Sequence, residues 1–167
     1  LKAFENYFGK INNKKIFLFG LGGAGKAVAT FFSNEYSKDL TCVTRKPEDQ
    51  IFCSKINCNW IENKANYNYL KDAEVIINCT SLGSADFIDQ IPFNLNYLDA
   101  LKKDMYIFDI IYIPLETKLI NEAKKRNYKY LNGSKMNIYQ AALAYFNTSP
   151  IPKNLEEIFK IMSENEN

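Results

Sequence analysis

The sequence contains no histidine among its 167 residues. This absence excludes catalysis by a Ser-His-Asp or Cys-His arrangement, metal binding through imidazole and proton transfer by histidine. Acid–base chemistry on this chain would have to use lysine, tyrosine, aspartate or glutamate. Long apolar runs are also lacking, because the longest are about as long as a strand and a membrane span needs ~20 residues. We therefore expect no membrane partner.

The chain also lacks an excess of charge of either sign, since 21 basic residues face 19 acidic ones and the net charge is +2. Binding to nucleic acids or to membrane surfaces relies mainly on a basic excess, so neither partner is expected. The hydrophobic fraction of 47%, with 7 glycines and 5 prolines, is ordinary for a globular protein and argues against disorder. The length suits a single domain.

Cysteine is sparse and has no C-x-x-C spacing, the four residues being Cys42, Cys53, Cys58 and Cys79. Cys42 and Cys79 lie inside apolar runs, which is typical of small buried hydrophobic residues. The chain shows no secretory leader, so we expect a reducing cytoplasmic location without disulfides. No metal site is predicted.

Strand-like and helix-like segments alternate along the chain. Near-continuous apolar strands separated by helices are typical of a parallel sheet that is covered on both faces. We therefore predict an α/β fold with a doubly wound, mainly parallel six-stranded sheet of the Rossmann type, followed by C-terminal helices. The predicted strands are 14–19, 40–44, 56–61, 74–79, 105–111 and 128–131, and the predicted helices are one from residue 24 and those at 67–71, 115–126, 136–146 and 155–162.

The segment 20–25, GLGGAG, satisfies the pattern G-x-G-x-x-G between an apolar strand and a helix with an apolar stripe. This is the setting in which the pattern binds a dinucleotide. Gly20 permits a tight turn, Gly22 lets the backbone approach a pyrophosphate, and Gly25 lets the helix pack closely on the strand. The helix N-terminus offers N–H groups and a partial positive charge to phosphates. The alternative is a glycine-rich turn without a ligand.

The end of the second predicted strand favours NADP over NAD. An NAD site places Asp or Glu there for the ribose 2′-hydroxyl, whereas an NADP site places Arg there for the 2′-phosphate. Here the strand ends in Thr44, Arg45 and Lys46, while Asp39 lies before the strand and so at its other end. The missing carboxylate also argues against a methyltransferase that uses S-adenosylmethionine. A solvated basic turn is the alternative.

Five segments, in order, resemble the C-terminal NADP-binding domain of the shikimate dehydrogenase family. They are GLGGAGKA at 20–27, TRK at 44–46, EVIINCTSLG at 74–83, DIIYIPLET at 109–117 and NGSKMNIYQAA at 132–142. The resemblance implies an oxidoreductase that reversibly reduces 3-dehydroshikimate to shikimate with NADPH, a step towards chorismate and the aromatic amino acids. It also implies a two-domain enzyme whose substrate domain precedes the Rossmann domain.

The resemblance implies roles for individual residues. The glycine turn would bind the pyrophosphate through Gly20, Leu21, Gly22, Gly23, Ala24 and Gly25. The 2′-phosphate would be bound by Thr44, Arg45 and Lys46. The nicotinamide ribose would contact Cys79, Thr80 and Ser81, and the nicotinamide end would contact Ile110, Gly133 and Met136. Shikimate would contact Tyr112 and Gln140.

Three of these residues also have plain structural interpretations. Tyr112 fits an aromatic residue that only packs at a strand end, Gln140 fits a surface amide, and Met136 fits a core side chain. The chain also departs from the family pattern, with Thr44 where Asn is preferred and Ser81 where Pro is usual.

The catalytic Lys and Asp of the family belong to its substrate domain, and neither motif is present here. We therefore expect one NADP-binding domain over 1–167, with a leading helix at 1–13, sheet and crossovers at 14–133 and helices at 134–167. We expect it to bind NADP(H) without reducing 3-dehydroshikimate, as a domain of a longer enzyme. A nucleotide-sensing module, a quinate dehydrogenase and a methylene-tetrahydrofolate dehydrogenase are the alternatives. Tyr112 and Gln140 favour the shikimate and quinate branch.

Apolar residues that would face a substrate domain are expected to be exposed here and to favour a homodimer through the first and last helices. They are Leu1, Phe4, Phe8, Leu155, Ile158, Phe159, Ile161 and Met162.

Overall fold

The structure is a computed structural model that describes residues 2–9, 11–36, 39–64, 66–149 and 154–164. Its centre is one six-stranded sheet with the order β3-β2-β1-β4-β5-β6, and all five strand pairings are parallel. The predicted doubly wound fold is thereby confirmed. The strands are β1 (Ile16–Phe19), β2 (Leu40–Thr44), β3 (Asn59–Glu62), β4 (Val75–Asn78), β5 (Tyr106–Asp109) and β6 (Lys129–Leu131).

Helices cover both faces of the sheet. The two C-terminal helices pack against each other, where the rings of Tyr139 and Phe159 lie 5.4 Å apart. Within the described ranges, none of the helices has the length and apolarity to traverse a bilayer. The α-helices are α1 (Lys2–Phe8), α2 (Gly23–Glu35), α3 (Asp49–Lys55), α4 (Lys118–Lys125), α5 (Ser134–Thr148) and α6 (Leu155–Glu164), and short 3₁₀ helices cover Asn68–Asp72, Ala85–Phe87 and Leu95–Ala100.

The sheet separates two hydrophobic cores, which β1 supplies in alternation. Ile16 and Leu18 point into one core, and Phe17 and Phe19 point into the other. All four residues of β1 are buried, which explains why the strand reads as an unbroken apolar run. The chain runs outward from β1 through β2 to β3 and then returns to β4 on the other side. The carboxyl ends of β1, β2 and β4 therefore frame the switch point where open α/β sheets bind ligands.

Helix α3 was not predicted, and the strand predicted at 56–61 begins too early. The helix has only seven residues and no continuous apolar stripe, because Ile51 is exposed whereas Cys53 is buried. Ile56 caps α3 and Asn57 has a φ of 53°, so these residues form the turn and β3 starts at Asn59. The helix predicted at 115–126 starts later, at Lys118, because the Thr117 side chain caps it by accepting a hydrogen bond from Ile120 N.

The expected exposure of the first and last helices is wrong at two positions. Phe4 is fully buried, with ring centroids 5.0 Å from Phe32 and 5.6 Å from Phe108, so α1 packs onto α2 and β5 of its own domain. Ile158 is buried where α6 packs on α5. Ile161 is 45% exposed, as expected. Leu1 lies outside the described residues.

Candidate functional site

A groove of about 280 Å³ lies at the carboxyl ends of β1, β2 and β4. It brings together residues from three separate loops that the sequence analysis had singled out, together with three that it had not. The lining residues are Gly20, Leu21, Gly22, Val43, Thr44, Arg45, Lys46, Asp49, Asn63, Cys79, Thr80 and Ser81.

The glycine turn lets α2 start directly against the end of β1. Gly20 has a φ of +89°, a conformation that side chains disfavour, and a Cβ there would lie 2.8 Å from Thr80 Cγ2. A Cβ on Gly25 would lie 2.1 Å from the Gly20 carbonyl oxygen. Both positions therefore require glycine, and the close contact brings the first turn of α2 to the edge of the groove.

The N-terminus of α2 faces the groove through Gly22. Lys26 N donates to Gly22 O at 2.9 Å as the first bond of the helix, so the N–H groups of residues 23–25 lack partners within it. No side chain of the described residues caps this end, and the first turn has no acidic residue. A Cβ on Gly22 or Gly23 would meet nothing within 4 Å. This arrangement suits a phosphate oxygen.

The basic corner of the groove lies just after β2. Arg45 and Lys46 are exposed, and neither forms an ion pair within the described residues. The Asp49 carboxylate, which also lines the groove, lies 4.0 Å from Lys26 Nζ and is therefore paired. Asp39 precedes β2 and lies at the opposite end of the strand from Arg45, as predicted. The free positive charge at this corner suits an anionic ligand.

Thr44 holds the basic corner in place. It is buried, and its hydroxyl accepts hydrogen bonds from Trp60 Nε1 at 3.1 Å and from Lys46 N at 3.3 Å. The same hydroxyl donates to Lys46 O at 3.2 Å. Thr44 therefore fixes the backbone that carries Arg45 and Lys46.

Asn63 is a groove residue that the sequence analysis missed. Its backbone N–H donates to Thr44 O at 2.6 Å, and its Nδ2 donates to Pro92 O at 3.5 Å. Its Oδ1 is buried and has no hydrogen-bond partner among the residues that the structure describes. An orphaned acceptor beside the groove marks a place where a ligand hydroxyl or amino group can donate. The sequence signal was weak, because an asparagine after a strand is common in loops.

A buried polar network joins the ends of β4 and β5 beneath the groove. Asn78 Nδ2 donates to Asp109 Oδ1 at 3.1 Å, and Asn78 Oδ1 accepts from the Thr80 hydroxyl at 2.7 Å. Asp109 Oδ2 accepts from the Thr117 hydroxyl at 2.7 Å, and Oδ1 accepts from Ile111 N at 3.2 Å. Burial raises the pKa of Asp109 to about 6, against the lowering effect of these bonds.

This network fixes the two loops that border the crevice. Asn78 and Asp109 were quoted in the sequence analysis only as letters of longer motifs, and their signal was a polar residue at the end of each apolar strand. Both are fully buried. Their role is to hold Thr80 and the backbone after residue 109 in position, because each loop bonds back to this pair.

A second groove of about 350 Å³ continues from Thr80 to the end of β5. Ile110 and Tyr112 line it, and Tyr112 is 47% exposed. A Cβ on Gly133 would lie 1.9 Å from Ile110 O, so the start of α5 packs directly against this loop. The predicted nicotinamide-end residues Ile110 and Gly133 are thus neighbours.

The two predicted residues on α5 differ in their surroundings. Met136 is half-buried and packs against the core that contains Phe4, which agrees with its plain structural interpretation. Gln140 lies one helical turn further along and is exposed. Gln140 is therefore accessible to a small molecule.

The chain resembles known proteins over nearly all of its length. It is 33% identical over 162 residues to the shikimate dehydrogenase (NADP⁺) of Methanocaldococcus jannaschii, covering 92% of this chain and 56% of that protein. It is 37% identical over 152 residues to the enzyme of the same name from Methanococcus maripaludis, covering 86% of this chain and 52% of that protein. No family model matches the chain.

A solved structure shares the fold. The crystal structure of a shikimate dehydrogenase in complex with NADP⁺ superposes with a TM-score of 0.77 at 29% identity, covering 98% of this chain and 58% of that one. The chain thus spans about half the length of the relatives it matches. The five matching segments, the sheet order and these similarities agree, and the chain is similar over nearly all of its length to the C-terminal part of shikimate dehydrogenases.

Proposed function

We propose that the groove at the carboxyl ends of β1, β2 and β4 binds NADP(H). The chain would then be the nucleotide-binding half of an NADP-dependent shikimate dehydrogenase. The observation that carries this proposal is the position of Arg45 and Lys46. Both are exposed, and they line the same groove as Gly22 at the start of α2. A groove with a helix N-terminus on one side and a free guanidinium on the other can hold a pyrophosphate and a 2′-phosphate together.

The residues present fit the nucleotide. Gly22 and Gly23 leave open space where a Cβ would project, so phosphate oxygens can reach the backbone N–H groups of α2. The orphaned Asn63 Oδ1 offers an acceptor to a hydroxyl or amino group at the adenosine end. Asp49 adds little repulsion to a phosphate, because its carboxylate is paired with Lys26.

The nicotinamide, when bound, supplies the hydride, and the chain's own residues bind and orient it. The second groove, from Thr80 to Ile110 and Tyr112, is where that end of the cofactor would lie. Tyr112 and Gln140 would then contact 3-dehydroshikimate or shikimate from the cofactor side. The remainder of the substrate site and the catalytic Lys and Asp would come from a preceding domain.

Fluorescence titration with NADPH and with NADH tests the proposal. Arg45→Ala removes the charge that would pair with the 2′-phosphate, and charge-assisted hydrogen bonds contribute about 1.5–3 kcal/mol. We therefore expect Arg45→Ala to weaken NADPH binding by about 10- to 100-fold. NADH lacks this phosphate, so its dissociation constant should change by less than about threefold.

Lys103→Ala is the matched control. It removes one exposed positive charge at a residue that does not line the groove, and it has the same net charge as Arg45→Ala. It should leave both affinities unchanged. Equal losses of NADPH and NADH affinity in Arg45→Ala, or equal effects of the two variants, would contradict the assignment of Arg45.

A turnover assay tests whether the catalytic residues lie outside this chain. The 167-residue chain should bind NADPH but should not oxidise it when 3-dehydroshikimate is added. Turnover by this chain alone would disprove the proposal that the catalytic residues lie elsewhere.

We also propose a cytoplasmic location, which the four free thiols support because such thiols persist in a reducing compartment. A homodimer stays a prediction, and it would have to form without Phe4 and Ile158, which are buried within the chain.

A further inference from the structure

Three of the four cysteines meet in one cluster beneath α3. Cys42 lies in β2, Cys53 lies in α3, and Cys58 lies in the segment between α3 and β3. Their three Sγ atoms all lie within 4.8 Å of one another, and the Cys42 and Cys58 sulfurs are 3.6 Å apart. Cys42 and Cys53 are buried, while Cys58 is half-buried.

The backbone makes this cluster. Asn57 adopts a left-handed conformation with a φ of 53°, which turns the chain back at the end of α3. Cys58 N then donates to Cys53 O at 3.0 Å, so these two residues are held side by side. Cys42 faces them from β2, whose register pairs it with Trp60 of β3. The sulfurs thus come together through three elements that the fold positions independently.

The spacing of the sulfurs suits a metal ion. A Zn–S bond is about 2.3 Å long, so two sulfurs on one tetrahedral ion lie about 3.8 Å apart. The Cys42–Cys58 separation of 3.6 Å is close to this value. The remaining distances, at most 4.8 Å, need only small side-chain rotations to match it. Three sulfur ligands without a carboxylate favour soft ions over calcium or magnesium.

The Cys42 and Cys58 thiols contact each other at 3.6 Å, within hydrogen-bond distance for sulfur. The bond from the Cys42 thiol lowers the pKa of Cys58 to about 7, and the same contact, together with burial, raises the pKa of Cys42. Burial raises the pKa of Cys53 to about 12. A bound cation would have to displace the thiol protons, so its affinity should rise with pH.

We propose that Cys42, Cys53 and Cys58 form a thiolate site for one soft d¹⁰ metal ion, Zn²⁺ or Cu⁺. Cu⁺ would be held by the three sulfurs alone, and Zn²⁺ would take a water molecule as its fourth ligand on the half-exposed side of Cys58. Each thiol that binds releases its proton to solvent, and no electron is transferred. This site lies outside the nucleotide crevice and does not depend on its function.

Metal binding would connect β2 to α3 and to the start of β3. The segment between Cys42 and Cys53 carries Arg45 and Lys46 and begins α3 at Asp49, which lines the groove. A bound ion would therefore stiffen the basic corner. The three sulfurs come together only in the folded protein, so the unfolded chain has no assembled site. A bound ion should therefore also raise the melting temperature.

The test uses the fully reduced chain under anaerobic conditions, titrated separately with Zn²⁺ and with Cu⁺ against a competing chelator. We expect one ion per chain in at least one of the two titrations. Cys58→Ser should weaken that binding by more than the roughly 10- to 100-fold that loss of an outer contact costs a metal site. Titration with Cd²⁺ should give thiolate charge-transfer absorption in the wild type and less in Cys58→Ser.

Cys79→Ser is the matched control, because it also removes one thiol but lies outside the cluster. It should keep one ion per chain and the charge-transfer absorption. Cys53→Ala is a second cluster variant, read alongside circular dichroism so that loss of metal is separated from loss of fold. The proposal is overturned if neither ion binds the wild type, or if Cys79→Ser and a folded cluster variant lose binding equally.

Discussion

The contact between Gly25 and the Gly20 carbonyl makes Gly25→Ala a direct test of how the crevice is built. A Cβ at residue 25 would lie 2.1 Å from Gly20 O and 3.0 Å from Gly20 C. Both partners are backbone atoms, so no change of rotamer relieves the overlap, and α2 would have to move back by about 1 Å. Overpacking costs about 1–3 kcal/mol where neighbours can adjust. We expect Gly25→Ala to lose at least about 3 kcal/mol.

The assay is urea or thermal unfolding of the chain without nucleotide. For a protein of this size, a loss of about 3 kcal/mol lowers the melting temperature by about 6–12 °C. Gly23→Ala is the control, because its Cβ would meet nothing within 4 Å and it occupies the first position of α2. Alanine there should be neutral or stabilising by up to about 1 kcal/mol. A Gly25→Ala variant within about 0.5 kcal/mol of the wild type would refute the close packing.

Three further variants test the buried polar network and the packing of α1. Burial raises the pKa of Asp109 from 3.8 to about 6, so the folded protein holds this proton more tightly, and stability should fall as the pH rises between these values. Asp109→Asn should lack this pH-dependent part of the free energy of unfolding, which amounts to about 3 kcal/mol between pH 4 and 7. A variant with the same pH dependence of unfolding as the wild type would contradict the raised pKa of Asp109. Phe4→Ala should cost about 3–5 kcal/mol in urea unfolding. Tyr7→Ala, whose side chain is 53% exposed, should cost under about 1 kcal/mol.

Much of the fold was readable from local patterns. The strands β1, β2, β4 and β5 are short apolar runs buried on both sides, and such runs stand out in any sequence of ordinary polarity. The G-x-G-x-x-G turn and Arg45 were also readable, because each is defined by its position next to a strand. Their meeting in one groove followed from the topology, since parallel strands bring their carboxyl ends to the same edge.

Features without a local pattern were missed or mistaken. Helix α3 is too short to show a stripe, and β3 begins only after the turn at Asn57. Phe4 was expected to be exposed because it was assigned to a surface that would face a substrate domain. It is buried because its ring fits against Phe32 and Phe108, which are distant in sequence.

The sequence by itself determined the buried strands β1, β2, β4 and β5, the glycine turn and the basic end of β2, because these depend on neighbours along the chain. Only the tertiary structure decided that Asn78 bonds Asp109, that Asn63 leaves an acceptor beside the groove, and that Cys42 meets Cys58. The residues involved come from different loops or strands. The distances between them are set by how the helices and the sheet pack rather than by spacing in the sequence.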